Sequence, residues 1–368
     1  LFGRRAFLPV LWLAALCPFT ANYVAAPLTE TLVLFTIALA FYSLHRWRAA
    51  GLGYNRWLWL LAAAISYSLL LRPDQGLLAA AIFPAMLWMS IPSTSGRIPG
   101  TRALAPILVA AVCILLPLVP WAIRNWRTFH IVQPLVPRYA TDPGENPPIG
   151  FARWYSTWGV DYASTEGVLW NYDSDRIELS TIPTRAFSLS CLPTSAPRES
   201  LPLYATTSAL LDEYNIKANA TPAIDARFAE LARIRIGAAP LCNHIALPVI
   251  RLLDMLLRPR IAIMNPQPLT WWKWSEHSGE TTFAAAYAAL NLAYFVLAIA
   301  AFLAWRRRAW LASREIAWSM LAFILLRCAL LLTLDNPEPR YTLEFFPILF
   351  VCIGGLFLSP GPEESRPR

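Results

Sequence analysis

Long apolar runs recur toward both ends of this chain, and a polar stretch from about Arg124 to Glu280 separates them. A helix of roughly 20 apolar residues crosses the hydrocarbon core of a bilayer, so these runs predict membrane helices. They lie at Phe7–Ala26, Pro27–Leu44, Trp57–Leu71, Gly76–Ile91, Ala103–Ile123, Thr281–Trp305, Ile316–Leu334 and Tyr341–Leu358. The polar stretch far exceeds the length of about 15 residues that structureless loops usually reach. The expected class is therefore an all-α integral membrane protein with about eight transmembrane helices and a large, partly helical external insert. Residues 1–123 would hold five spans, 124–280 the insert, 281–358 three more spans and 359–368 a cytoplasmic tail.

Composition agrees. Hydrophobic residues make up 57%, charged residues 15%, and mean hydropathy is +0.44, which excludes an ordinary soluble domain. Sixteen tryptophans and thirteen tyrosines suit aromatic belts at two membrane interfaces. The net charge of +8 is explained by orientation rather than by nucleic acid. Arg4 and Arg5, then Arg46, Arg48 and Arg56, then Arg97 and Arg102 fall in alternate gaps, and Arg306–Arg308, Arg314, Arg366 and Arg368 continue the pattern. Basic loops mark the cytoplasmic side. The insert, Arg72–Gly76 and Asp335–Arg340 then face outward.

The insert carries 15 basic and 15 acidic residues between Arg124 and Glu280, a balance unsuited to an anionic-polymer groove. Its Tyr139–Pro148 segment reads as loop. From Thr221, Pro222 at a first-turn position and Ile224, Phe228, Leu231 and Ile234/Arg235 at helical spacing predict a helix. A second amphipathic piece spans about Ile245–Leu257. It either packs on the core of the insert or lies along the external headgroups. Cys191 and Cys242 form one disulfide or remain two thiols, depending on the compartment. Histidine and cysteine spacing shows no metal site, and no cofactor is indicated; whether a divalent cation is needed stays open.

Four short stretches gather at the outer ends of the spans: Pro27–Thr31 with Glu30, Leu71–Asp74, Pro120–Asn125, and Asp335–Tyr341 followed by Glu344. Arg72, Arg124 and Arg340 there suit a phosphate or pyrophosphate on a lipid, since guanidinium forks match phosphate oxygens. Arg327 lies inside an apolar run, where a charge faces a partner or a wet cavity. It serves a substrate, or it pairs structurally, with Glu344 as the nearest partner. Trp154, Trp158, Trp170 and the Trp271–Trp274 run either stack on sugar faces or anchor at the interface.

Taken in order, Leu1-Phe2-Gly3-Arg4-Arg5 with Pro18, Thr29-Glu30, Leu71-Arg72-Pro73, Pro120-Trp121…Arg124-Asn125 and Arg340-Tyr341…Pro347 resemble the polytopic glycosyltransferases of the GT-C class. The nearest branch looks like the bacterial relatives of protein O-mannosyltransferases and aminoarabinose transferases. The resemblance implies transfer of a sugar from a polyprenyl-phosphate carrier to a protein, lipid or glycan acceptor, outside a bacterial inner membrane. It also implies donor-phosphate contacts at Arg72, Arg124, Arg340 and Arg327, supported by Glu30, Asn125, Tyr341 and Glu344. In such proteins a catalytic Asp sits in the first external loop, ahead of the region matched by Leu1–Arg5. The chain thus reads as starting within a longer protein, with that Asp upstream and the fragment itself inactive. Asp212-Glu213 resembles the motif only as a dipeptide. A transporter or lipid flippase, and a non-catalytic scaffold of the same fold, are the competing expectations. Partners would be the lipid-linked sugar and membrane lipids, without nucleic acid.

Overall fold

The computed structural model describes residues 2–357 except 3, 25–27, 92–100, 131, 135–146, 173–175, 191–193, 218–220, 262–271, 273, 276–277 and 309. Leu1, Gly3, Pro27, Arg97, Cys191, Trp271, Lys273, most of the loop at 139–148 and the tail at 359–368, all named above, lie outside the described residues. In chain order the main helices are α1 (Arg4–Ala15), α2 (Pro18–Ala21), α3 (Glu30–Ala49), α4 (Arg56–Leu71), α5 (Gly76–Ser90), α6 (Thr101–Leu115) and α7 (Leu118–Phe129). They continue with α8 (Ile149–Ser156), α9 (Tyr204–Lys217), α10 (Pro222–Ala238), α11 (Leu247–Leu257), α12 (Ser278–Arg308), α13 (Trp310–Leu331) and α14 (Phe346–Gly354). Short 3-10 and π turns fill the connections, and no strand occurs among the described residues.

The expected all-α class holds, but eight spans do not. Among the described residues three helices are long and apolar enough to cross a membrane: Leu104–Phe129, Ser278–Arg307 and Pro339–Phe357. Two bent pairs raise the number to five if each is one span: Arg5–Ala15 with Pro18–Val24, bent by 50°, and Pro222–Ala238 with Cys242–Leu257, bent by 105°. The other expected spans fall short for physical reasons. At 16 and 15 residues, α4 and α5 are roughly 24 and 22 Å long against a core of about 30 Å. Helix α3 has Glu30 in its first turn and Arg46 and Arg48 in its last, which shortens its apolar stretch. Helix α13 is kinked at Ser313 (φ −146°, ψ 16°) and carries Arg327 inside.

The chain folds as two compact units. The first comprises Leu1–Arg138, Ala289–Arg327 and Thr342–Arg368. Inside it α3 pairs with α4, where the Thr36 hydroxyl donates to Ser68 Oγ at 3.1 Å, and the Ser66 hydroxyl ties α4 to Ile114 O at 3.1 Å on α6. Leucines and isoleucines such as Ile37, Leu58 and Ile65 fill this interior, while Phe7, Trp12, Leu108, Val112, Val296 and Ile299 point outward. A surface this apolar suits lipid rather than water.

The second unit comprises Tyr139–Ala288 and Cys328–Tyr341. Its core is aromatic. Phe151 stacks on Tyr172 at 4.0 Å between ring centres, Tyr172 on Tyr214 at 5.2 Å, and Phe151 meets Phe228 edge-on at 5.0 Å. The helix predicted from Thr221 forms as α10. Thr221 Oγ1 accepts the Ile224 N–H at 3.4 Å with Pro222 in the first turn, and Ile224, Phe228 and Leu231 are buried. Asp225 caps a neighbour: its carboxylate accepts the Gly150 N–H at 2.9 Å and the Phe151 N–H at 2.8 Å, at the start of α8. Trp154 and Trp158 are fully buried in this core, so neither can present a face to a sugar. Trp170, Trp272 and Trp274 are exposed.

Arginines hold the second unit together from inside. Arg235 donates to Thr157 Oγ1 at 2.8 Å, to Ala186 O at 3.0 Å and to Ser188 O. Arg251 donates to Gly159 O at 2.8 Å, to Ser156 O and, at 3.5 Å, to Leu334 O. Arg260 donates to Pro339 O at 2.6 Å. A guanidinium satisfies several buried carbonyls at once, and Arg251 and Arg260 thereby anchor the segment after α13 to this unit. Helix α11 follows from that inward pull. Its Arg251 is buried, whereas Val249, Ile250, Leu253 and Leu257 are exposed, as are Leu241 and Ile245 just before it. Leu241, Ile245, Val249, Leu253 and Leu257 recur every fourth residue and form an outward aliphatic stripe. The helix packs on the insert through Leu247, Arg251 and Met255, and the stripe faces away from that contact.

Cys242 is disulfide-bonded, and Cys17, Cys113, Cys328 and Cys352 are thiols outside any disulfide. Intact-mass measurement of unreduced protein should therefore fall two protons below the fully reduced mass. An unchanged mass would remove the bridge.

Candidate functional site: a buried ionic network

Four segments of the first unit bring charges together. Glu30 opens α3, where a carboxylate favours the helix N-terminus. Helix α4 ends at Leu71, and Arg72 then adopts an extended conformation (φ −150°, ψ 124°) ahead of a Pro73–Gln75 turn. Proline disfavours helix in the residue before it, so the Arg72-Pro73 pair sets this break. Arg327 comes from α13 and Glu344 from the 3-10 turn before α14.

Arg327 is wholly buried, with Nη2 at 3.0 Å from Glu344 Oε1 and Nη1 paired to Asp74 Oδ2. Arg72 grips the same Asp74 with both prongs, Nε to Oδ1 at 3.2 Å and Nη2 to Oδ2 at 3.1 Å. Its Nη1 lies 3.6 Å from Glu30 and 3.7 Å from Glu344. Gln75 Nε2 donates to Glu344 Oε2 at 2.6 Å, and the Ser68 hydroxyl donates to Gln75 Oε1 at 3.4 Å. Thr36 then donates to Ser68 and closes the chain onto α3.

Two guanidiniums thus face three carboxylates. Burying such a group is unfavourable unless each charge is paired, and each of these five lies within 4.0 Å of an opposite charge. The chemical consequence concerns phosphate. Neither Arg72 nor Arg327 can close on a phosphate without leaving a carboxylate behind. Arg340 is paired as well, with Nε at 2.5 Å from Glu338 Oε1, and its guanidinium lies 5.6 Å from the Tyr341 ring centre in the second unit.

Arg124 differs. It is exposed near the end of the Leu104–Phe129 helix, 5.1 Å from the Trp121 ring centre and 5.5 Å from Phe129. Its Nη1 donates to Asn125 Oδ1 at 3.1 Å, and Asn125 Nδ2 in turn holds Gln133 O at 2.7 Å. Among the described residues no carboxylate pairs with Arg124.

Of the eight residues singled out in sequence, then, Arg72, Arg327, Glu30 and Glu344 meet in one network. Arg124 and Asn125 form a separate pair, and Arg340 and Tyr341 belong to the second unit. The sequence pairs Asp74 with Arg72 in a tight turn, and the two do pair there; Gln75, Ser68 and Thr36 were not singled out. Their signal is the recurrence of small polar residues in apolar runs, with Ser68 one helical turn before Arg72.

The second unit holds further acids that the sequence did not single out. Asp161 Oδ2 pairs with Arg185 at 2.9 Å, and Asp254 lies 3.8 Å from Arg258, whose guanidinium sits 5.3 Å from the Tyr162 ring centre. Burial pushes the nearby Glu166 carboxyl up, against the pull of Arg258. Burial likewise raises the Tyr155 hydroxyl, which shares a 2.8 Å hydrogen bond with Thr165. No group of histidine, cysteine and carboxylate residues that could hold a metal occurs among the described residues. Comparison with family models, curated proteins and solved structures found no match to this chain.

Proposed function

We propose that this chain is the helical body and inserted unit of a membrane glycosyltransferase. It takes a sugar from a polyprenyl-phosphate carrier and passes it to an acceptor at the external face of a bacterial inner membrane. The observation that carries this reading is Arg124. A guanidinium near the end of a candidate span, bracketed by two aromatic rings and without a carboxylate partner among the described residues, suits the phosphate of a lipid carrier. Transfer makes a bond from the acceptor oxygen to the anomeric carbon and breaks the bond to the phosphate oxygen. The charge left on the carrier phosphate is what a preorganised guanidinium stabilises. The ionic network holds the surrounding helices rather than the substrate. A disulfide-bonded Cys242 fits an insert in an oxidising space.

The test uses the complete protein in membranes with a labelled polyprenyl-phosphate sugar. Arg124→Gln should lower the transfer rate about 10- to 100-fold, the worth of a charge-assisted hydrogen bond, with thermal stability unchanged. Arg340→Gln should lose less, because Glu338 already occupies its guanidinium. Equal rates for wild type and both variants would remove the phosphate contact.

A transporter is the second reading, favoured by the excess of carboxylate over guanidinium in the network, since charges inside membrane helices also mark ion pathways. Asp74→Asn separates the two. A transporter loses ion-coupled uptake, whereas a transferase whose donor meets Arg124 keeps donor binding.

A further inference from the structure

Apart from the ionic network, the first unit holds a cavity of about 540 Å³ whose lining includes Arg48, Leu52, Trp88, Ile91, Arg314 and Glu315. Glu315 joins two of the lining arginines, with Oε2 at 3.0 Å from Arg48 Nη1 and Oε1 at 3.2 Å from Arg314 Nε. One carboxylate against two guanidiniums leaves a formal charge of +1 on this triad. The Glu315 side chain is only 10% exposed, whereas Arg48 and Arg314 reach 30% and 38%. The acid thus sits behind and the cations in front. The Arg314 guanidinium lies 5.3 Å from the Trp88 ring centre, within cation–π range.

One wall is the loop between α3 and α4, and it is held in shape. Gly51 (φ 88°) and Leu52 (φ 62°) both adopt left-handed conformations. A leucine there persists only where its surroundings over-determine it. Buried Trp47 donates from Nε1 to Gly53 O at 2.9 Å, and Asn55 caps α4 by accepting the Trp57 and Leu58 N–H groups at 3.0 and 3.3 Å. Trp88 and Ile91 are exposed beside the opening. Arg46 and Arg56 add charge at the same end of α3 and α4, stacked against Trp57. Basic pockets between membrane helices on the positively charged side suit anionic headgroups.

We propose that this cavity binds one phosphate-bearing anion, whether the headgroup of an anionic lipid or a free phosphate. Arg48 and Arg314 would supply the contacts, and Glu315 would limit their strength. The inference is independent of the transferase reading. Its ligand meets residues at the junctions of α3 with α4 and of α12 with α13, and not Arg124.

The test is native mass spectrometry of the full chain in detergent, titrated with phosphatidylglycerol or phosphatidylcholine, with and without inorganic phosphate. Wild type should prefer phosphatidylglycerol, and Arg48→Gln and Arg314→Gln should each weaken its binding about fivefold. Glu315→Gln removes the internal counter-charge, so it should tighten binding even if it lowers thermal stability. A purely structural triad would instead lower stability in all three variants and leave lipid preference unchanged. Competition by inorganic phosphate assigns the site to a soluble phosphate, and its failure to compete assigns the site to a lipid headgroup. Equal retention of the two lipids by wild type without displacement by phosphate, or unchanged binding in Glu315→Gln, would overturn the proposal.

Discussion

Arg327→Leu should be the most damaging single change in the first unit, lowering stability by about 3–5 kcal/mol, as loss of one partner from a buried ion pair does. The leucine would leave Asp74, Glu344 and Glu30 facing Arg72, the cation all three already share, and Glu344 is buried. Thermal unfolding of the purified protein in detergent, followed by tryptophan fluorescence, reads the effect. The double variant Arg327→Leu with Glu344→Gln should recover part of the loss, because removing both partners leaves fewer uncompensated charges. Wild-type stability in Arg327→Leu would mean that the network does not hold these helices together. A partial recovery in the double variant would separate loss of pairing from loss of packing.

Gly150→Ala should damage the second unit by about 3 kcal/mol, from overpacking together with a weakened helix cap. A Cβ at this position would stand 2.0 Å from the backbone oxygen of Asp225 and 2.9 Å from its Oδ2. The backbone oxygen belongs to the first turn of α10 and cannot withdraw as a flexible side chain could. Either α8 or α10 must shift, and the cap from Asp225 to Gly150 and Phe151 stretches with it. Gly237→Ala is the control, since nothing lies within 4 Å of a Cβ there. Within a helix that change should stabilise by roughly 0.5–1 kcal/mol. Limited proteolysis distinguishes them: cleavage within 147–257 should accelerate in Gly150→Ala and not in Gly237→Ala. Equal rates would show that α8 and α10 have room to part.

What could be read from sequence was local. Thr221, Pro222 and the spacing of Ile224, Phe228 and Leu231 specify α10, because a cap and one apolar face lie within a few turns. Arg327 announced a partner by its place in an apolar run, and Glu344 is one. The other, Asp74, lies 253 residues away, and no local pattern encodes that meeting. Hydropathy counted too many spans because it sees apolar content and not breaks. The kink at Ser313 and the short reach of α4 and α5 follow from turns and from packing. Trp154 and Trp158 failed as sugar platforms for a related reason: an aromatic side chain has the same letter whether it fills a core or lines a groove. Helix α11 shows the limit most plainly. Its periodicity reveals two faces, and general experience turns arginine outward, but free carbonyls at Ser156, Gly159 and Leu334 turn Arg251 in.

That inversion bears on how the insert can be handled. A segment with balanced charge and a closed aromatic core invites excision as a soluble domain. The stripe from Leu241 to Leu257 would then meet water along some four helical turns. Separated from the rest of the chain, the insert would carry that exposed aliphatic stripe into water, and a detergent-free version would need those positions replaced by polar residues.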